Sequence, residues 1–192
     1  MIIKRTEVDT IEMKNGTTLH CYDDIVTEKE LKAAMEDAEK AYTNNPTMSN
    51  KLYRIYAKAD CLYAKGDRKS AIKYLDNELE MIHDLDNNPE TLLKWLDANS
   101  LMAEMLIREK DLDKSIKYAD VVIECAENHF AGTLEYIYAE ELYATVLALR
   151  GETEVAKKWY NDALERLVGK MADMKTLREN IEISLAGLND EK

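Results

Sequence analysis

The sequence predicts an all-α repeat protein, and three observations carry that prediction. Breakers are scarce, since the 192 residues hold six glycines and two prolines, whereas a β-sandwich or barrel needs a turn signal every ~8–12 residues. Apolar residues recur at three-four spacing through most of the chain, as at Leu31, Ala34, Met35, Ala38, Ala41 and Tyr42, which paints one face of a helix. A break motif also repeats: Asn44-Asn45-Pro46 returns as Asn87-Asn88-Pro89, 43 residues later, and a further step of that length reaches Gly132.

The amino terminus follows a different grammar. Thr6 to Met13 and Thr17 to Tyr22 are rich in Thr, Val and Ile and flank Asn15-Gly16, a pair suited to a type I′ turn, so residues 1–24 are expected to form a small β-hairpin. Two strands alone are marginal in water. This hairpin is therefore expected to fold back on the helices, the sharper alternative being strand pairing with a second copy to make a homodimer. From residue 25 to 192 the pattern is helical. Thr27 followed by Glu30 predicts a capping box that opens the first helix.

Three repeats begin near Pro46, Pro89 and Gly132, and a second spacing holds inside each. Ala59 and Ala71, Ala103 and Ser115, and Ala144 and Ala156 are each 12 residues apart. Between them fall Gly66-Asp67, Lys110-Asp111 and Gly151-Glu152, always seven and eight residues after the first small residue. A helix that ends in a left-handed cap, an acidic residue that favours the next helix start, and facing small side chains together describe a helical hairpin. The first hairpin's core face reads Leu52, Ile55, Tyr56, Ala59, Leu62 and Tyr63, answered by Ala71, Ile72, Leu75, Leu79 and Ile82. The third returns with Ala156, Tyr160, Ala163, Leu164 and Leu167. A last helix from about Lys170, with Met171, Met174, Leu177, Ile181 and Leu185, is expected to cap the stack.

In the segments 64–75, 108–119 and 149–160 the chain resembles the tetratricopeptide-repeat (TPR) family. Helix 27–45 is similar to the second helix of a degenerate preceding repeat, through Ala34, Ala38, Ala41 and Pro46. The resemblance spans about Thr27 to Val168 and implies a right-handed α-solenoid of about three hairpins. Its departure is the period, near 43 here against ~34 in the family, which predicts additional helical turns in each hairpin. HEAT-type repeats, with periods of ~40–47, are the alternative architecture.

Composition restricts the function. With 26 Lys and Arg against 38 Asp and Glu, the formal charge is −12, opposite to the basic footprint of a direct nucleic-acid or anionic-membrane binder. Residues 1–8 lack a signal-peptide apolar core, and no run approaches a membrane span. The chain is accordingly expected to be cytoplasmic. Cys21, Cys61 and Cys125 are odd in number and far apart, which indicates neither a disulfide framework nor a zinc site.

Catalytic patterns are missing. His20, His83 and His129 lie in separate segments, and Glu80-x-x-His83 has di-metal spacing but no second copy. His20 and Cys21, adjacent in a strand, point to opposite faces, so His20 cannot activate the thiol. Cys61 and Cys125 read as small core residues. Neither a glycine-rich phosphate loop nor a nucleophile elbow occurs. The reading is non-enzymatic, with no cofactor and no metal.

The family resemblance implies a concave groove lined by the first helix of each hairpin. Carried over residue by residue, its positions are Tyr53, Tyr56, Asp60 and Tyr63, then Asp97, Ser100, Glu104, Ile107 and Arg108, then Tyr138, Glu141, Thr145 and Leu149. Tyrosines beside carboxylates suit a basic or amphipathic protein or peptide partner. The Lys and Asn residues with which some family members clamp a partner's terminal carboxylates are replaced by Tyr56, Asp60, Leu101, Tyr138 and Leu142, which disfavours such a clamp. The leading expectation is a peptide-binding adaptor or regulator. Its rivals are an acidic inhibitor that blocks a basic nucleic-acid site on a partner, a sensor of short signalling peptides, and a bland alternative in which the tyrosines only seal neighbouring hairpins.

Overall fold

Helix ends fall where the sequence places its breakers. The computed structural model describes residues 5–12, 18–24, 28–167 and 175–189. Strands β1 (Arg5–Glu12) and β2 (Thr18–Asp24) pair antiparallel from Arg5 opposite Asp24 to Glu12 opposite Thr18, with an irregularity between Glu7 and Asp9. The Asn15-Gly16 turn, Thr27 of the expected capping box, and Met171 and Met174 lie outside the described residues.

Among the described residues eight helices follow: α1 (Glu28–Asn44), α2 (Met48–Ala64), α3 (Arg68–Glu80), α4 (Pro89–Arg108), α5 (Leu112–His129), α6 (Leu134–Arg150), α7 (Thr153–Leu167) and α8 (Lys175–Asn189). They divide into two compact units, α1–α4 and α5–α8. The two Asn-Asn-Pro breaks serve helix starts differently. Before α2 the cap is Thr47, whose hydroxyl accepts from the Asn50 amide, so Pro46 stands outside the helix. At α4 the cap is Asn88, which accepts from the Glu90 amide, and Pro89 is the first helical residue, where a missing N–H costs nothing.

The hairpin tips share one geometry. Asp67, Asp111 and Glu152 each donate an amide hydrogen bond to the carbonyl five residues back, and Gly66, Lys110 and Gly151 to the carbonyl three back. This is the Schellman cap, which requires a left-handed residue. Gly66 and Gly151 have φ of 85°, and Lys110 adopts 62° without being glycine. The repeat thus preserves the turn even where it loses the residue suited to it.

Small residues do what their spacing foretells: Ala59, Ala71, Ala103, Ser115, Ala144 and Ala156 are all fully buried. In the first unit Leu52, Ile55, Leu75 and Leu79 complete the seam between α2 and α3, each contributing ~1.5–3 kcal/mol by leaving water. Tyr56, Leu62, Ile72 and Ile82 are only half-buried. The expected extra helical turns are not how the first repeat reaches its length. α2 and α3 end by Glu80, and the additional residues form the non-helical stretch 81–88.

In the second unit α6 is enclosed on nearly all sides, from Tyr136 through Leu149, by α5, α7 and α8. Tyr160, Ala163 and Leu167 of α7 and Leu177, Ile181 and Leu188 of α8 complete that core. Leu188, absent from the expected face of the last helix, belongs to it, whereas Leu185 is half-buried.

Candidate functional site

In the first unit α2 and α4 lie side by side and run in the same direction. Ser49 Oγ donates to Glu90 Oε1 at 2.9 Å near the start of both helices, Lys94 Nζ lies 5.5 Å from the Tyr53 ring centre, and Arg108 lies 5.9 Å from the Tyr63 ring near their ends. Each step along α2 meets the residue 41 to 45 positions later on α4, so the contact ladder follows the sequence repeat. Arg68 at the start of α3 reaches Glu109 at 3.3 Å and ties the far end.

Tyr56 stands in the middle of this ladder. Its hydroxyl is kept protonated well above the ordinary tyrosine range, first by burial and then by the charges of Asp60, Glu104 and Asp97. The structure therefore gathers one tyrosine from α2 with one carboxylate of its own helix and two of α4. Lys94 joins the cluster, 3.4 Å from Asp97 Oδ2. Sequence reasoning passed over Lys94, although its position three residues before Asp97 on one helix was the available signal.

Cations cover the flanking rings: Lys94 the Tyr53 ring, and Arg68 at 5.4 Å with Arg108 the Tyr63 ring. Among the described residues no cation covers the ring of Tyr56. Tyr53, Tyr56, Asp60, Asp97, Ser100 and Arg108 are half-buried and Glu104 is exposed. Two expected groove residues here are buried, and one of them, Tyr63, is also on the expected core face. Ile107 is 5% exposed and Tyr63 9%, because they sit on the side of their helices that turns inward against neighbouring helices.

A second pair of cation-capped rings lies elsewhere in this unit. Arg54 stacks 4.1 Å from the Tyr42 ring and 3.8 Å from Glu39, and Lys58 sits 4.4 Å from the Tyr74 ring. Burial and the charge of Glu78 push the Tyr74 hydroxyl up to about 12.

The third-repeat positions lie in the second unit. Tyr138 is open, at 45% exposure, and Glu141 is half-buried. Thr145 is 6% exposed, its hydroxyl 2.8 Å from that of Tyr160 and 3.3 Å from Glu141 Oε1. Leu149 is buried as well. Thr145 and Leu149 therefore pack this unit's interior.

The remaining candidates for chemistry stay apart. Glu80 closes α3 and His83 lies in the following non-helical stretch, so the Glu-x-x-His spacing never forms a helical face. Cys61 is buried, and Cys125 is half-buried, with burial and Glu124 pushing its thiol up. Among the described residues no group of three or more His, Cys, Asp or Glu side chains is placed to hold a metal ion, and no helix is long and apolar enough to cross a membrane.

No protein-family model and no curated protein matches the sequence. Solved structures do. BtubC (BKLC) from P. vanneervenii superposes with a TM-score of 0.63 at 17% identity, over 85% of this chain and 66% of that one. A Podosopora anserina protein with nearly identical kinesin-light-chain TPR-like repeats gives 0.61 at 11% identity, over 85% of this chain and 79% of that one. The fold is TPR-like. The chain spans just under two thirds of the BtubC length. At these identities the likeness is one of fold alone, and it concerns the helical repeat, lending no support to the amino-terminal hairpin. In TPR-like terms α2 and α4 are the first helices of successive repeats in one unit, and α6 is a first helix in the other.

Proposed function

We propose that this TPR-like chain is a non-enzymatic adaptor that binds a protein or peptide along α2 and α4. The observation that carries the reading is Tyr56, a half-buried ring over which no cation lies among the described residues, set among Asp60, Asp97 and Glu104 while both neighbouring rings hold a lysine or arginine. A ring and carboxylate together hold an ammonium at Lys94 already, and the Tyr56 cluster offers the same chemistry to a residue from outside. A basic, amphipathic helix or extended segment fits it. Its cations would meet the carboxylates and its apolar side chains the tyrosine rings.

The test is titration of the full chain with a labelled Lys/Arg-rich amphipathic peptide, followed by fluorescence anisotropy. Tyr56→Ala is expected to weaken binding about tenfold or more, the size of an interface hot spot. The double variant Asp97→Asn, Glu104→Gln is expected to weaken it further and to reduce its salt dependence. Unchanged affinity in both variants overturns the reading.

A further inference from the structure

A second polar cluster lies inside the α5–α8 unit, away from α2 and α4. Glu140 of α6 is 0% exposed, and its Oε1 lies 3.1 Å from Nε of Arg166 on α7. Both carboxylate oxygens are sealed from water, and the contacts that favour their charge are the Arg166 ion pair and the Tyr136 hydroxyl. The other end of the pair is not enclosed: the Arg166 side chain is 39% exposed, and its guanidinium lies 5.1 Å from the centre of the Tyr136 ring, one turn before Glu140.

We propose that Glu140 and Arg166 form a proton-operated latch between α6 and α7. With Glu140 ionised, the guanidinium is held inward over Tyr136. With Glu140 protonated, it is released toward Asp162 and solvent, so that the charge shown on the outer side of α7 changes with pH.

The charged and hydroxyl groups that act on Glu140 come from α5, α6 and α7. Arg166 and the Tyr136 hydroxyl favour the ionised form, while Asp162 of α7 and Glu127 of α5 oppose it. α8, which also packs on α6, supplies Ser184 as a hydrogen-bond partner of Tyr160. Burial outweighs the favourable contacts and pushes the Glu140 carboxyl up to about 7. Neutralising a sealed carboxyl removes the charge beside Arg166 and leaves the Tyr136 side chain as its partner there, and a guanidinium with an open route to water then gains by rehydrating.

The latch is tested on the full chain by NMR between pH 5 and pH 9, following the Glu140 side-chain carboxyl carbon and the Arg166 Nε resonance. Both are expected to move together with a midpoint near 7, and Glu140→Gln is expected to abolish the Arg166 step. Arg166→Gln, at a partly exposed position, tests the pair even if Glu140→Gln does not fold. It is expected to raise the Glu140 midpoint by about one pH unit or more, since it removes an opposite charge in contact. A Glu140 midpoint in the ordinary carboxylate range, an unmoved midpoint in Arg166→Gln, or an Arg166 resonance that ignores the Glu140 transition overturns the proposal.

Discussion

The hydroxyls of Thr145 and Tyr160 lie 2.8 Å apart across the seam between α6 and α7. Tyr160 is the largest fully buried side chain among the described residues, and Ser184 of α8 is its second polar partner. Three helices are thus joined at one phenol oxygen. Tyr160→Phe keeps the ring but takes the phenol partner from Ser184 and leaves Thr145 only Glu141, which is expected to cost about 1–3 kcal/mol. Urea denaturation measures this directly, and Thr145→Val together with Tyr160→Phe is expected to cost less than the two single changes added.

Lys110 invites the opposite experiment. Its φ of 62° places a side-chain-bearing residue where the two equivalent tips have glycine. Lys110→Gly is expected to stabilise the chain by about 1 kcal/mol through relief of that strain. Gly66→Ala and Gly151→Ala are expected to destabilise by a similar amount. Open space surrounds both positions, so the cost is one of backbone conformation alone. Thermal melting of the three variants decides it, and a stabilised Gly151→Ala would refute the account of the shared cap.

Glu140 sets a pH dependence with a definite sign. Its carboxyl is raised from an ordinary 4.5 to about 7 in the folded chain, so between those values the folded state binds the proton that the unfolded state has lost. The Glu140 contribution to stability is therefore full below about 4.5, falls as pH rises to about 7, and is flat above it. The difference between wild type and Glu140→Gln isolates it. That difference is expected to swing by on the order of 3 kcal/mol across the window, with the variant gaining relative to wild type at the alkaline end.

Tyr56 and Tyr63 are expected to separate binding from folding. Tyr63 is buried and flanked by Arg68 and Arg108, so Tyr63→Ala is expected to cost about 3 kcal/mol or more of stability. Tyr56→Ala is expected to lower the melting temperature far less while weakening the peptide complex. Calorimetry and anisotropy on the same samples would show the division, and a large melting shift in Tyr56→Ala would assign that ring to the core.

The architecture was legible because it is periodic. The pairs of small residues and the three tips are fixed by spacing within one hairpin, and Ala59, Ala71, Ala144 and Ala156 are buried as that spacing requires. What escaped depends on rotation of a helix by a fraction of a turn. Ile107 and Thr145 lie on positions that repeat faithfully, but each is turned just far enough inward to be enclosed. Glu140 gave no signal at all, since one glutamate in the run Ala139-Glu140-Glu141-Leu142 looks like a solvated charge until α5 and α7 close over it. Lys94 could have been found, because its spacing to Asp97 is local; that Tyr53 would lie beneath it depends on two helices meeting.

The non-helical stretch 81–88 has a consequence for how the chain can be cut. It carries exposed Met81, His83, Asp84 and Asp86 and joins α3 to α4, while α4 is held to the helices before that link by Ser49 and Tyr53 of α2, which meet Glu90 and Lys94, and by Arg68 of α3, which meets Glu109. The covalent link there carries little of the fit between the helices it joins. A protease nick in this stretch should leave two fragments that stay associated and that can be separated and recombined, making it the natural place to split the molecule into a complementing pair.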